Sequence, residues 1–171
     1  MNSKIITGLA ILCFLAFGCN EPDDGSHADP ITLSEKIHGD WSLMNLKMVD
    51  EYAKANDIEP FEQNISTLFH YEDFKIRFSV NEKMVATTYE VMGDVPALFM
   101  PNGYWALSSD FQQTNGQPAT IYLYSDAEKT LQTGELKLTS VPGSNGEMEI
   151  QLTKSSGGAA FVSYVFKLNA I

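Results

Sequence analysis

The chain has 171 residues, of which 11 are basic and 22 acidic, so its formal charge is −11. Hydrophobic residues make up 44% and charged residues only 19%, which excludes disordered, coiled-coil and collagen-like chains. Because affinity for nucleic acid comes mostly from Lys and Arg that neutralise phosphates, we expect no nucleic-acid partner for an acidic chain with a single arginine, Arg77. The length fits one domain with a short appendage.

The first 19 residues contain a short apolar run that ends in a cysteine. Lys4 precedes residues 5–17, an apolar stretch shorter than the roughly 20 residues that a membrane-spanning helix needs. The run ends in Ala16-Phe17-Gly18-Cys19, which resembles the lipobox of bacterial lipoproteins in its looser Bacteroidota form. The resemblance implies a signal peptide over residues 1–18, acylation of Cys19 and a lipid anchor in the outer membrane. The alternative is an ordinary signal peptide that is cut elsewhere and leaves Cys19 free.

Residues 19–30 predict a flexible acidic tether that leads to a domain over residues 31–171. The segment 20–30 contains four acids, two prolines and no large apolar side chain, so nothing in it can pack. The acids that follow the cysteine, Glu21, Asp23 and Asp24, resemble the surface-export signal of Bacteroidota lipoproteins. That resemblance implies exposure on the cell surface, whereas a merely solvated linker is the alternative.

From residue 40 onward, apolar side chains recur with a period of two, which is typical of half-buried strands. Short connections indicate antiparallel neighbours, and eight strands can close into a barrel without free edges. We therefore predict an all-β fold, an eight-stranded antiparallel meander barrel. The predicted strands are residues 41–49, 74–80, 85–91, 103–108, 120–125, 135–141, 147–153 and 161–169.

A short helix precedes the first predicted strand. Residues 33–37 predict a single helical turn that ends at Gly39, and Trp41 follows on the strand. A helical turn before Gly39-x-Trp41 is similar to the start of the lipocalins, in which the tryptophan plugs the closed end of an eight-stranded barrel. Together with the signal, the chain resembles lipocalin-like lipoproteins of unknown function in Bacteroidota. Lipocalins also pack an arginine of the last strand over this tryptophan, whereas Arg77 lies in the second predicted strand.

The longest connection, residues 50–71, follows the first strand, as the lid does in lipocalins. Pro60 is suited to the first turn of a helix, and Phe61, Ile65 and Leu68 would share one side of it, so a lid helix is predicted.

Aromatic side chains in the loops are the candidate ligand contacts. Phe61 and Phe69 in the lid, together with Phe99 in the segment 95–101, would line an apolar mouth of the barrel. The alternative is that these rings cap a barrel whose interior is already filled.

The sequence contains none of the common catalytic or metal-binding motifs. The patterns G-x-S-x-G, H-E-x-x-H, Walker A and C-x-x-C are absent. His70 lies beside Glu72 and Asp73, a pairing that could serve as a general base, but adjacent residues in a loop usually face water. We expect no enzymatic activity, no cofactor and no metal site.

Three functional classes remain open. The first is a binding module that holds a small apolar ligand in the barrel, or a glycan on paired tyrosines such as Tyr122 and Tyr124 of the predicted fifth strand. The second is an accessory lipoprotein whose filled barrel docks on another envelope protein, and the third is a hydrolase with an unrecognised site. An apolar cavity of at least roughly 300 Å³ favours the first class, and a solid core with an exposed apolar patch favours the second.

Overall fold

The computed structural model describes residues 29–171, and eight of their strands form one closed antiparallel barrel. Helices are few and short. In chain order the elements are α1 (Leu33–Ile37), β1 (Gly39–Asp50), α2 (Glu51–Ala55), β2 (Glu62–Asn64), a 3₁₀ turn (Tyr71–Asp73), β3 (Lys75–Val80), β4 (Ala86–Met92), β5 (Asn102–Leu107), β6 (Ala119–Tyr124), β7 (Gln132–Ser140), β8 (Glu147–Ser156) and β9 (Ala159–Ala170).

The barrel closes between its first and last strands. Neighbouring strands follow the order β1-β3-β4-β5-β6-β7-β8-β9, and β9 pairs in turn with β1. The β1–β9 ladder runs from Trp41 opposite Ala170 to Asp50 opposite Val162, with a register shift between Leu43 and Asn45. The predicted all-β antiparallel barrel is therefore confirmed, and each of the eight predicted strands corresponds to one strand of the wall.

The alternating pattern of the β3–β4 hairpin places its apolar side chains inside. Ile76 lies opposite Val91 and Phe78 lies opposite Tyr89, and all four belong to the core or pack against it. The carboxamide oxygen of Asn81 organises the turn, since it accepts hydrogen bonds from the backbone N–H groups of Lys83 (2.9 Å) and Val85 (3.0 Å).

Helix α1 closes one end of the barrel, which we call the α1 end. Its boundaries are those predicted, and a reciprocal pair of hydrogen bonds between Thr32 and Glu35 caps its first turn. Its own side chains Leu33 and Ile37 are buried. Trp41 is 3% exposed, and its indole N–H donates to the carbonyl oxygen of Ile37 at 2.8 Å. The tryptophan thus fills the floor of the barrel, as expected.

The predicted lid helix beginning at Pro60 is wrong. The segment runs extended beside β1 instead, forming β2, and the N–H of Ile65 donates to the carbonyl oxygen of Leu46 at 2.9 Å. Because β3 covers only the beginning of β1, the later residues of β1 have free backbone groups that β2 pairs with. Asn64 and Ser66 are also weak helix formers. A short helix does occur in this connection, but it is α2, which Asp50 caps.

The opposite end of the barrel, which we call the Phe99 end, is covered by two connections. One is the segment between β1 and β3, and the other is the β4–β5 loop, residues 93–101. Phe99 from this loop packs on the core, with its ring centroid 6.3 Å from that of Tyr89 and 6.2 Å from that of Phe166. Both ends are therefore closed by side chains of the chain itself.

Candidate functional site

The interior of the barrel is filled by large side chains. Trp105, Tyr89, Phe78 and Phe166 are all fully buried, and the rings of Phe78 and Trp105 meet edge to face at 5.1 Å. Their polar atoms have partners: the indole N–H of Trp105 donates to the carbonyl oxygen of Ser79 at 2.9 Å, and the hydroxyl of Tyr89 donates to the carbonyl oxygen of Met100 at 3.0 Å. Burial raises the pKa of Tyr89. A packed core of this kind leaves no ligand-sized space.

The cavity at the Phe99 end, beneath the β4–β5 loop, is small and apolar. Its volume is about 60 Å³, and its lining includes Tyr71, Phe74, Val91, Leu98 and Phe99. Pockets for drug-sized ligands measure roughly 300–1,000 Å³, so this cavity is too small for a fatty acid or a dye.

The three predicted ligand contacts do not come together. Phe99 lines the small cavity, but Phe61 and Phe69 do not. Phe61 is half-buried, and its carbonyl oxygen accepts a hydrogen bond from the N–H of Asp50 at 2.8 Å. Phe69 is 67% exposed, and its ring meets that of Tyr71 edge to face at 6.4 Å. A role for these residues in binding stays a prediction. Phe99 packs on the core, Phe61 is half-buried beside β1, and Phe69 is exposed.

Three tyrosines lie together on the outside of the barrel, on β5 and β6. Tyr104 lies directly opposite Tyr124, and Tyr122 lies opposite Ala106, the next outward position of β5. Residues that face each other across a ladder share one side of the sheet, and the intervening Trp105 points inward. We call Tyr104, Tyr122 and Tyr124 the tyrosine face. All three are half-buried.

Gly103 permits the close approach of β5 to β6 that forms this face. A Cβ atom at Gly103 would collide with the carbonyl oxygen of Tyr124 and would lie 3.1 Å from Cε1 of Tyr89. A glycine is therefore required beside Tyr104 for a steric reason. Gly103, Tyr104 and Trp105 are adjacent in the sequence, but only the register between the strands shows that Tyr104 lies beside Tyr124.

Polar side chains surround the tyrosine face. Thr88 of β4 lies opposite Tyr104, and on β7 Gln132 and Glu135 lie opposite Tyr124 and Tyr122. Thr88, Gln132 and Glu135 are exposed. The face therefore combines aromatic surface with a hydroxyl, an amide and a carboxylate at its borders, and the ammonium of Lys129 lies nearby, beside Ala106.

A second concave surface lies on the outer side of β1, β8 and β9. It measures about 390 Å³ and is lined by charges of both signs, among them Lys47, Lys167, Glu62 and Glu149. Lys47 contacts Glu62 at 2.8 Å, a hydrogen bond that raises the pKa of this lysine, and Lys167 contacts Glu147 at 3.0 Å. Both of these lysines are paired, and Glu149 accepts a hydrogen bond from the hydroxyl of Thr139 at 2.8 Å, so the groove offers mixed charges with no excess of one sign that favours a charged ligand.

His70, which was considered as a general base, lies just before the 3₁₀ turn. His70 adopts a left-handed backbone conformation and is exposed. Across residues 29–171, no three His, Cys, Asp or Glu side chains are grouped so as to hold a metal ion. Among the same residues, no helix is long and apolar enough to cross a membrane. The predicted signal peptide, the acylated Cys19 and the acids Glu21, Asp23 and Asp24 lie outside the described residues.

Comparison with known proteins gives one family and one distant relative. The family is described as a domain of unknown function (DUF5004), and its pattern matches residues 17–169. The N-terminal acetyltransferase B complex subunit NAA25 homolog of Caenorhabditis elegans is 27% identical over 131 residues. That match covers 75% of this chain but only 13% of the relative, so the chain spans a small part of that curated protein. No solved structure matches the chain at a significant level.

Proposed function

The chain belongs to the DUF5004 family of domains of unknown function, and from that premise we propose that it is a lipid-anchored, non-enzymatic binding module of the cell envelope, with its ligand held outside the barrel. The filled interior carries this proposal. A cavity of about 60 Å³ leaves no room for a ligand inside, whereas the outer wall presents a cluster of three tyrosines. Binding is therefore assigned to the outer surface, and a glycan is favoured over an apolar ligand.

The lipid anchor is supported by the sequence before the barrel. Lys4, the apolar residues 5–17 and Cys19 have the order of a lipoprotein signal, and the acids after Cys19 favour the cell-surface side of the outer membrane. Two or more acyl chains hold a protein stably at a membrane. Mass spectrometry of the mature protein should show a lipid-modified Cys19 as its first residue, and an unmodified peptide that begins elsewhere would contradict the anchor.

The relationship to lipocalin-like lipoproteins of Bacteroidota is part of the same proposal. It is supported by α1, by Gly39-x-Trp41 at the start of β1 and by the eight-stranded wall. One lipocalin feature is replaced: Arg77 does not lie in the last strand, but pairs with Asp40 on β1. The likeness concerns architecture, and it brings no catalytic residue with it.

A ligand panel tests the proposed function. We expect the purified protein to bind oligosaccharides in calorimetry and on a glycan array, and to bind neither fatty acids nor hydrophobic dyes stoichiometrically. The filled interior is the reason for the second expectation. Saturable binding of a fatty acid at one site would contradict the proposal, and so would the failure of every glycan on the array.

A second candidate function is docking on another envelope protein. The observation that favours it is a set of exposed apolar side chains from connections and strand ends at the Phe99 end, namely Tyr52, Ile58, Leu68, Phe69, Met100, Leu131 and Phe161. Cross-linking in intact cells, followed by purification of the lipoprotein, should then recover one stoichiometric partner. A Leu131→Asp/Phe161→Asp variant should lose this partner and keep glycan binding.

A further inference from the structure

We propose that the tyrosine face is the ligand site and that it takes a neutral glycan, whose sugar rings stack on Tyr104, Tyr122 and Tyr124. This inference rests on the proposed function, since it names the place and the chemical class of a ligand bound outside the barrel. The weakly positive C–H groups on one face of a pyranose ring complement the negative face of an aromatic ring.

The spacing of the three side chains suits a ligand of more than one sugar. Tyr104 and Tyr124 lie side by side across the β5–β6 ladder, and Tyr122 is displaced from Tyr124 by two residues of one strand. Two residues of a strand advance by roughly 7 Å, and cross-strand partners are about 5 Å apart. Rings anchored at these points can contact neighbouring sugars of an oligosaccharide at the same time.

The rings of the tyrosine face are partly exposed and are not engaged with other aromatic rings of the described residues. Among the described residues, the close ring pairs involve Phe69, Tyr71, Phe74, Phe78, Tyr89, Phe99, Trp105 and Phe166, and none involves Tyr104, Tyr122 or Tyr124. Within residues 29–171, no hydrogen bond from the three hydroxyl groups to another residue is seen, whereas the buried Tyr89 donates to Met100 at 3.0 Å. The strands that carry them belong to the closed wall, so the site is held in place before a ligand arrives.

The net negative charge of the chain disfavours anionic glycans, and the cation beside Ala106, Lys129, already donates to the carbonyl oxygen of Ala86 at 2.8 Å. Glu135 lies opposite Tyr122, and the whole chain carries a formal charge of −11. A sulfated or uronate-rich polymer would bring like charges together, which disfavours its approach. Glu135, Gln132 and Thr88 can instead accept from or donate to sugar hydroxyl groups. A neutral oligosaccharide therefore fits both the aromatic and the polar parts of the face.

Substitution of two tyrosines tests the site, with a matched control elsewhere on the chain. A Tyr104→Ala/Tyr124→Ala variant removes two rings, Tyr104→Phe/Tyr124→Phe keeps the rings without the hydroxyls, and Tyr52→Ala removes a tyrosine from α2. Each protein is titrated with the neutral glycan that binds wild type best on an array, and its thermal unfolding is recorded to show that the barrel is intact. Aromatic stacking is worth about 0.5 to 1.5 kcal/mol per ring, so each lost ring should weaken binding about 2- to 12-fold.

The inference predicts a large loss of affinity for the alanine pair, and near wild-type affinity for the phenylalanine pair and for Tyr52→Ala. If the alanine pair binds the glycan as tightly as wild type, the site lies elsewhere, although the proposed function stands. If the phenylalanine pair loses as much affinity as the alanine pair, stacking is refuted as the basis of recognition. If wild type binds no glycan, the proposed function and this inference both fail. Tighter binding of a sulfated than of a neutral glycan overturns the assignment of ligand class.

Discussion

Replacing Phe99 by alanine separates the two roles that this side chain can have. If Phe99 is a plug, as its contacts with Tyr89 and Phe166 indicate, the variant gains a larger apolar cavity. Truncation of a buried phenylalanine costs about 3 to 5 kcal/mol, and because Phe99 is only half-buried we expect about 2 to 3 kcal/mol. For a domain of this size that loss lowers Tm by about 4 to 12 °C.

The decisive measurement is the thermal shift that a small apolar molecule produces. A dry apolar cavity binds benzene-sized ligands, so benzene should raise the Tm of Phe99→Ala and leave that of wild type unchanged. Phe69→Ala is the matched control, since Phe69 is exposed and does not line the cavity; its loss of stability should stay below about 1 kcal/mol. The plug interpretation is refuted if Phe99→Ala is as stable as wild type, or if wild type binds an apolar ligand that the variant has lost.

Three further predictions concern the wall of the barrel. Trp41→Ala should lower the free energy of unfolding by about 3 to 5 kcal/mol in urea titrations, because it empties the floor beneath α1. Gly103→Ala should be clearly destabilising, since its Cβ meets a backbone carbonyl, whereas Gly143→Ala, which meets only a side chain at 3.6 Å, should melt within a few degrees of wild type. The hydrogen bond from Arg77 holds the pKa of Asp40 below its usual 3.8, so Asp40→Asn should be less stable than wild type at pH 7, and the difference in Tm should disappear as the pH falls through that lowered pKa.

The wall could be predicted from sequence because each of its strands carries a local pattern. Alternation in β3 and β4 follows from one buried face, and the Asn81 turn that joins them depends on residues within the turn. The start of α1 also depends on neighbouring residues alone, because Thr32 and Glu35 form its cap. Such elements require no knowledge of distant partners.

The connection between β1 and β3 was mispredicted because a distant interaction determines it. Phe61, Ile65 and Leu68 fit a helical spacing by chance, but the free backbone groups of β1 pair with Glu62–Asn64 and impose an extended conformation. The β4–β5 loop is a similar case, since only the folded barrel shows that Phe99 fills its end. Backbone hydrogen bonds between segments that are distant in the sequence therefore outweigh the local spacing of apolar residues here.

Only part of the candidate site could be predicted from the sequence. Tyr122 and Tyr124 follow an alternating pattern, so their common face could be predicted from β6 alone. Tyr104 belongs to another strand, and its place beside Tyr124 depends on the β5–β6 register, which Gly103 allows. The register of two strands is determined by all the contacts between them, so it cannot be predicted from the sequence of one strand alone.

Pairing of β1 with β9 has a consequence for the order of folding. Trp41 and Ala170 are neighbours in space, so the first strand to leave the ribosome finds this partner only after the last strand of the barrel has been made. Until then β1 and β8 both present unpaired backbone groups, which are a template for aggregation. Contacts of such high sequence separation also make folding slow. A chain that stops before β9 should therefore aggregate rather than form a smaller barrel, and the full chain should need protection by a chaperone until the ladder is complete.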